Sequence, residues 1–248
     1  MSIGGFSAFP SFLESSLTNF CFVDTSILFS ATYPLDKFNA ESETVFESLA
    51  KNNRSILTNQ NVRSEFLENH RRVLLAEALI DFYEDRFDLI PQPCAEKLKS
   101  HRTNFRRKVE EGKDSKLNSN QIKEFREILS KFEIKNQSAW YFLCEKYLEP
   151  LLSPLWDSVV SELRVDFLSS RASETTPLLD KKLNWSDAIS LMGRYGIASS
   201  DAMILNMFLS SKIPILITAD KEMAQCIRAQ NRNDKYVFIP DSILKEIS

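Results

Sequence analysis

The sequence predicts an α/β fold: a parallel sheet with helices around it and a helical insertion in mid-chain. Three observations predict it. Residues 199–222 place an apolar helix, opened by Ser199-Ser200-Asp201-Ala202, directly before an apolar run, Ile213 to Ile217, that ends at Asp220. Residues 20–24 are a second apolar run ending at an acid, Asp24. Elsewhere short apolar runs alternate with helical spacing, the pattern of strands joined by crossover helices. The carboxyl ends of the strands in an open parallel sheet share one edge, where ligands bind. Asp24 and Asp220 would therefore converge across 196 positions if their strands share a sheet.

Each element follows from local pattern. Residues 1–19 hold scattered Phe and Ser without a period, with room for a short helix at 11–17. Phe20–Val23 reads as the first strand, and Thr25 or Ser26 as the cap of a short helix or turn through Phe29. Glu41–Ala50 sets Val45, Phe46 and Leu49 on one helical face. Ser55–Thr58 is a second strand, and Asn59 and Asn61 are turn or cap residues before a helix from about Val62 to Arg86. Asp88–Ile90 reads as a third strand stopped by Pro91 and Pro93. Ala95–Glu111 and Asn120–Glu133 are polar, basic helices. Ala139–Ser169 is apolar and aromatic, and Pro150 and Pro154 should break it into at least two helices. Ser170–Pro177 is a polar linker. Ser186 then caps a helix ended by Gly196, and Ser200 caps the next, with Asp201 in its first turn, where the macrodipole favours a carboxylate. Ile215–Ile217 and Tyr236–Ile239 are strands, and Asp241 opens a terminal helix. The division expected is one domain with core 20–90 and 186–248 and an insertion at about 94–185.

Composition narrows the function. With 43% hydrophobic and 26% charged residues in 248, the chain can bury a full core. Five glycines argue against a β-sandwich and against Gly-rich phosphate loops. The sequence shows neither a transmembrane run nor a signal peptide, so no membrane partner is expected. Cys21, Cys94, Cys144 and Cys226 are widely spaced, which suits reduced thiols in a cytoplasmic protein better than disulfides or zinc. The net charge is −3, yet residues 97–131 hold eleven Lys and Arg against five Asp and Glu; that local +6 leaves −9 on the remainder.

Asp24, Glu65, Asp201 and Asp220 would form a cluster of four carboxylates, self-repelling unless cations neutralise it. Oxygen ligands without Cys or His select a hard ion, Mg²⁺ or Mn²⁺. Such ions activate water and stabilise the leaving oxygen in phosphodiester cleavage. A lone Asp at a strand end is as readily a turn former, so the set carries the argument.

At these residues the chain resembles the PIN-domain nucleases, the VapC-like ribonuclease superfamily. Phe22-Val23-Asp24-Thr25-Ser26 is similar to the family's first strand and acid. Glu65, in Asn61-Val62-Arg63-Ser64-Glu65-Phe66, stands for its helical Glu, with Glu68 a competitor three residues on. Asp201-Ala202 opens the apolar helix, and Thr218-Ala219-Asp220-Lys221 closes the last motif. The Ser-Asp-Ala of Asp187 repeats the signal one helix too early. The resemblance covers about 20–90 and 186–240, and the block between them is longer than in compact members.

The resemblance implies a PIN-like α/β/α sandwich with a central parallel sheet and Mg²⁺- or Mn²⁺-dependent cleavage of single-stranded RNA. Asp24, Glu65, Asp201 and Asp220 would hold the metal or its water, with hydroxyls of Thr218 and Ser26 behind them. It also suggests a toxin-type RNase with an antitoxin-like inhibitor, and a homodimer, for which the apolar block 139–168 would offer a surface. Arg102, Arg106, Arg107 and Lys108 would contact RNA phosphates, against the plainer reading of a solvated helix face. The aromatics at 140–156 could stack bases but suit a core better. His70 and His101, 31 residues apart, are poor candidates for an acid/base pair. A haloacid-dehalogenase-type phosphatase would want an acid where Ser26 stands, and a dinucleotide enzyme a Gly-rich loop after the first strand. The main alternative is a catalytically inactive relative that binds RNA or protein.

Overall fold

The computed structural model describes residues 2–16, 18–168, 176–230 and 233–247. The chain divides into two compact units, Met1–Phe66 with Val159–Ser248, and Leu67–Ser158. In chain order the first unit begins with β1 (Ser2–Gly5), α1 (Phe9–Ser15), β2 (Phe20–Val23), α2 (Thr25–Thr32), α3 (Asn39–Lys51), β3 (Ser55–Thr58) and the first turns of α4 (Gln60–Arg86). The second unit takes the rest of α4, α5 (Gln92–Glu110), α6 (Ser119–Leu129), the two-residue hairpin strands β4 (Glu133–Ile134) and β5 (Gln137–Ser138), α7 (Ala139–Leu143) and α8 (Glu149–Leu152). α9 (Leu155–Leu163) leads back into the first unit. There β6 (Val165–Phe167), α10 (Trp185–Tyr195), α11 (Ser199–Leu209), β7 (Ile215–Ile217), α12 (Lys221–Ala229), β8 (Tyr236–Ile239) and α13 (Asp241–Ile247) follow.

The first unit is α/β, a six-stranded, wholly parallel sheet flanked by helices in the order β1-β8-β7-β2-β3-β6. Strands buried on both faces read as continuous apolar runs rather than alternating ones. Cys21, Phe22 and Val23 of β2, Ile215 to Ile217 of β7 and Val237 of β8 are all fully buried. From β2 the chain builds outward through β3 to β6; it then returns to the other side of β2 with β7 and builds outward again to β8. The order therefore reverses between β2 and β7, the switch point at which parallel sheets bind ligands. α1 covers the β8 side with aromatic contacts, Phe9 to Phe238 at 4.8 Å and Phe12 to Tyr236 at 4.9 Å between ring centres. Arg54 Nη2 caps the end of that helix by donating to the carbonyls of Leu13 and Ser16 at 2.9 and 2.8 Å.

The second unit has its own core, in which Leu75, Leu79 and Phe82 of α4 meet Leu98 of α5, Phe125 and Leu129 of α6, and Trp140, Phe142 and Leu143 of α7. A π-helical turn at Cys144–Leu148 precedes Pro150, which has no N–H to offer the Lys146 carbonyl. Pro150 and Pro154 break the apolar block into α8 and α9, as expected.

Several sequence expectations need correction. Asp88–Ile90 is no strand: Phe87–Leu89 form a 3₁₀ turn whose Phe87 and Leu89 are more than half exposed, with no burial to reward extension. Val165–Phe167, expected within a helix, is instead β6, parallel to β3; a three-residue apolar run has no period to separate the two. β1 was not expected, since Ser-Ile-Gly-Gly has poor strand propensity, and pairing with β8 overrides it. The helix expected at 120–133 stops at Leu129, with Glu133 already in β4. Asn184, not Ser186, caps α10 by accepting from the Asp187 N–H. Gly196, at φ +69, ends α10 as expected. Ala198 precedes α11 in place of a Ser200 cap, and Asp24 occupies the cap position of α2 in place of Thr25 or Ser26. Residues 170–175 of the expected linker lie outside the described residues.

Candidate active site

β2 and β7 lie side by side with Val23 opposite Ile217, so the residues that follow each strand emerge together at the switch point. The Asp24 N–H donates to the Ile217 carbonyl at 3.0 Å, continuing the ladder one residue past β2. Its carboxylate is buried, and Oδ2 accepts from both Ser26 Oγ and Thr218 Oγ1 at 2.8 Å. Each of those hydroxyls spends its one proton on Asp24 and accepts from the backbone behind it. Ser26 Oγ takes the Ala219 N–H at 2.8 Å, and Thr218 Oγ1 takes the Asp220 N–H at 2.9 Å. The two hydroxyls thus orient Asp24 and pin the turn after β7. Asp220 in turn caps α12, its Oδ1 accepting from the Met223 N–H at 2.8 Å.

Glu65 arrives from the second turn of α4. Its Oε2 accepts from Thr25 Oγ1 at 2.7 Å, and its Oε1 from Ser200 Oγ. The competitor Glu68 is engaged by its own helix: Arg71 and Arg72 donate to it at 2.7 and 2.9 Å, and these bonds hold its carboxyl below the usual range. Asp201, in the first turn of α11, is partly buried beside the others. Asp187 pairs with Lys181, whose hydrogen bond lowers its pKa, and so has a partner of its own.

Electrostatics ties the four acids together. Burial raises Asp201 to about 7, and Asp220, Glu65, Asp24 and Glu222 push it in the same direction. Burial likewise raises Asp24 to about 6; the Ser26 and Thr218 hydrogen bonds oppose the shift, and Asp220 adds to it. Among the described residues, no Lys or Arg forms an ion pair with Asp24, Glu65, Asp201 or Asp220. Nor, among the described residues, do three His, Cys, Asp or Glu side chains close to metal-ligand spacing. Like charges without a cation between them are expected to stand apart, and Glu65 is turned onto hydroxyls. The donor set itself, carboxylate and hydroxyl oxygens with no thiolate or imidazole, fits a hard divalent ion.

The other candidates lie in the second unit. Arg102 Nε and Arg106 Nη2 both donate to Glu84 Oε1, at 2.5 and 2.9 Å, while Arg107 and Lys108 stand in the last turn of α5. Trp140, Phe142 and Trp156 are buried as core, and Tyr141 is 67% exposed. His70 is buried and pushed down to about 4 by desolvation and then Lys116; His101 is lowered chiefly by burial, its Nε2 2.9 Å from the Ala76 carbonyl. Sequence reading did not assign Thr25 and Ser200 to the site, although each is adjacent in sequence to an acid that it helps to gather.

Set against known proteins, the chain matches no family model, no curated protein and no solved structure. Among the described residues, no helix is long and apolar enough to cross a membrane.

Proposed function

We propose that this chain is a metal-dependent nuclease of the PIN-like kind, an endoribonuclease that cuts phosphodiester bonds of single-stranded RNA. One observation carries the reading. Four carboxylates from four separate elements repel one another at the switch point of a parallel sheet, with no basic partner among the described residues. Such a cluster is costly by itself and becomes favourable around cations. Mg²⁺ or Mn²⁺ held by Asp24, Glu65, Asp201 and Asp220 would activate a water and neutralise the leaving oxygen.

The chain's own residues supply the orientation. Ser26 and Thr218 fix the plane of the Asp24 carboxylate, so it does not have to be ordered when substrate arrives. Thr25 and Ser200 hold Glu65 between α2 and α11. In the cation-free protein Asp201, raised to about 7, still holds a proton over part of the neutral range, whereas Asp24, raised to about 6, holds one only in more acid solution; a bound cation would displace either proton. A cytoplasmic setting is part of the proposal, supported by four free cysteines, three of them buried.

The deciding experiment is cleavage of labelled single-stranded RNA and DNA by wild type, Asp24→Asn and Asp220→Asn, with Mg²⁺, Mn²⁺ or EDTA. Metal-dependent cutting of RNA, lost in both variants, is the expected result. Cutting that persists in EDTA, or in both variants, would sink the assignment.

A further inference from the structure

Beyond β3, on the side of the sheet away from β7, the first unit contains a cavity of about 520 Å³. Its wall includes Asn59 and Asn61 before and within α4, Asn184 and Trp185 at the start of α10, and Met203 and Met207 of α11. That volume suits a single small ligand group, and an apolar slot with a few placed polar atoms is how such groups are held.

The polar atoms are placed by the fold. Asn59 is 4% exposed, and its Oδ1 accepts the N–H groups of Asn61 and Val62, both at 3.0 Å, so the first turn of α4 fixes which way the amide faces. The oxygen is committed, so Nδ2 is left as a donor, and no described residue accepts from it. Asn184 repeats the arrangement at the head of α10, its Oδ1 held by the Asp187 N–H at 2.8 Å. Asn206 Nδ2 locks the Asn184 carbonyl at 3.0 Å and is itself buried. Trp185 is 67% exposed, an unusual state for so large an apolar ring, and it stands at the cavity's rim.

The cavity also shares two helix faces with the acids. Asn61 and Glu65 are four residues apart on α4, and Ser200, Met203 and Met207 run along one stripe of α11. Ser200 Oγ donates to Glu65, joining those faces, so the cavity lies about one helical turn, ~6 Å, from a candidate catalytic acid.

We propose that this cavity binds one unpaired nucleobase of the strand whose backbone crosses the acid cluster. Trp185 stacks on the base, the two methionines line its other side, and the amide donor of Asn59 reads a ring carbonyl. Bases with such a carbonyl fit, and adenine, which lacks one, does not. Asn59 and Asn184 present donors with their oxygens already committed, so these two amides favour an acceptor edge before any side chain moves. The RNA occupant rests on the nuclease reading; the stacking and donor geometry do not.

The test is binding of uridine and adenosine RNA hexamers in EDTA, followed by anisotropy and by tryptophan fluorescence. Trp140 and Trp156 are buried, so a stacked base reports through Trp185. Wild type should bind the uridine hexamer about five- to tenfold more tightly than the adenosine one, the worth of one hydrogen bond left unmade. Trp185→Ala should lose on the order of tenfold or more in affinity, while Trp185→Phe keeps binding and loses the quench. Asn59→Asp retains the helix cap, and therefore the melting temperature, but should abolish the uridine preference. Hexamers that bind wild type, Trp185→Ala and Asn59→Asp alike overturn the pocket even if Asp24-dependent cleavage is found. Absence of Asp24-dependent cleavage removes the RNA occupant by removing the reading beneath it.

Discussion

Thr218 Oγ1 donates to Asp24 Oδ2 across 2.8 Å, although the two residues are 194 positions apart in the chain. The same oxygen accepts the Asp220 N–H, so one hydroxyl couples the first acid of the cluster to the last. Thr218→Val removes the donor to a buried carboxylate and the acceptor of a backbone N–H. The expected cost is about 1–3 kcal/mol of stability, with a fall in any metal-dependent cleavage. Thr218→Ser should restore both, because the hydroxyl returns. Equal melting of Val and Ser variants at pH 7.5 would show that the contact carries no weight.

Asp24 makes stability depend on pH in a defined window. Its folded pKa is raised to about 6, so between about 4 and 6 the folded state holds a proton that the unfolded chain has released. That contribution is fully present at low pH and is lost as pH rises through 6, in total on the order of 3 kcal/mol for this buried group. His70, lowered to about 4, acts oppositely: its contribution grows as pH rises from 4 toward 6.5. Asp24→Asn isolates the first effect. The stability of the variant relative to wild type should climb from pH 4 to 6 and level off above about 7, measured by urea unfolding without divalent ions. A difference that does not vary with pH would mean Asp24 titrates normally.

Divalent cations should reverse that penalty. At a hundred times its dissociation constant, a bound ion stabilises the folded state by about 2.7 kcal/mol. Mg²⁺ or Mn²⁺ should therefore raise the melting temperature at pH 7.5, release protons on binding at pH 6.5, between the two raised pKa values, and lose both effects in Asp201→Asn or on adding EDTA. Calorimetry in two buffers of different ionisation heat measures the protons. Stabilisation of equal size in Asp201→Asn would place the ion elsewhere.

Much of this fold is legible in the order of the residues, for a specific reason. β2, β3, β7 and β8 are apolar on both faces, so their runs stand out, and Ser55–Thr58 and Tyr236–Ile239 fall where the pattern puts them. β1 and β6 owe their extension to a neighbour, Val237 beside Ile3 and Ile56 beside Val165, which no local pattern encodes. Asp24, Asp201 and Asp220 are visible because each closes an apolar run or opens a helix, whereas Glu65, in the second turn of α4, has no such mark and is assigned through the resemblance. Thr25 and Ser200 are not visible, because a hydroxyl beside an acid commonly caps its own helix, whereas here both reach across to Glu65. Lys235 gives no signal either: a charged residue in a polar loop is normally solvated.

The basic helix α5 divides into engaged and disengaged cations. Glu84 already takes Arg102 and Arg106, so those two have less charge to offer a phosphate. If the helix contacts RNA, Arg107→Ala with Lys108→Ala should lower affinity and reduce the slope of log affinity against log salt by about 1.4, at roughly 0.7 per phosphate contact. Arg102→Ala with Arg106→Ala should change the slope less. An unchanged slope in the first pair assigns the run to a solvated face.

Lys235 is 1% exposed, and its ammonium donates to the carbonyls of Ser211 at 2.5 Å, Ile213 at 2.7 Å and Phe208 at 3.3 Å. It also lies 4.8 Å above the Phe208 ring. Those carbonyls close α11, which carries Asp201, and lead into β7, the strand that runs on to Asp220 at the cap of α12. A cation fits there because the end of a helix concentrates carbonyls with no N–H to meet them. Lys235→Met keeps the length and apolar stem but leaves buried acceptors without their donor, at an expected cost on the order of 3 kcal/mol. The denaturant midpoint should fall without a change in slope, since the same surface is exposed on unfolding. Because the lysine sets the turn between α11, which carries Asp201, and the strand that leads to Asp220, Mn²⁺ affinity should fall as well, even at a temperature where the variant is fully folded. A variant that is destabilised yet binds Mn²⁺ as wild type does would confine Lys235 to holding the helix end.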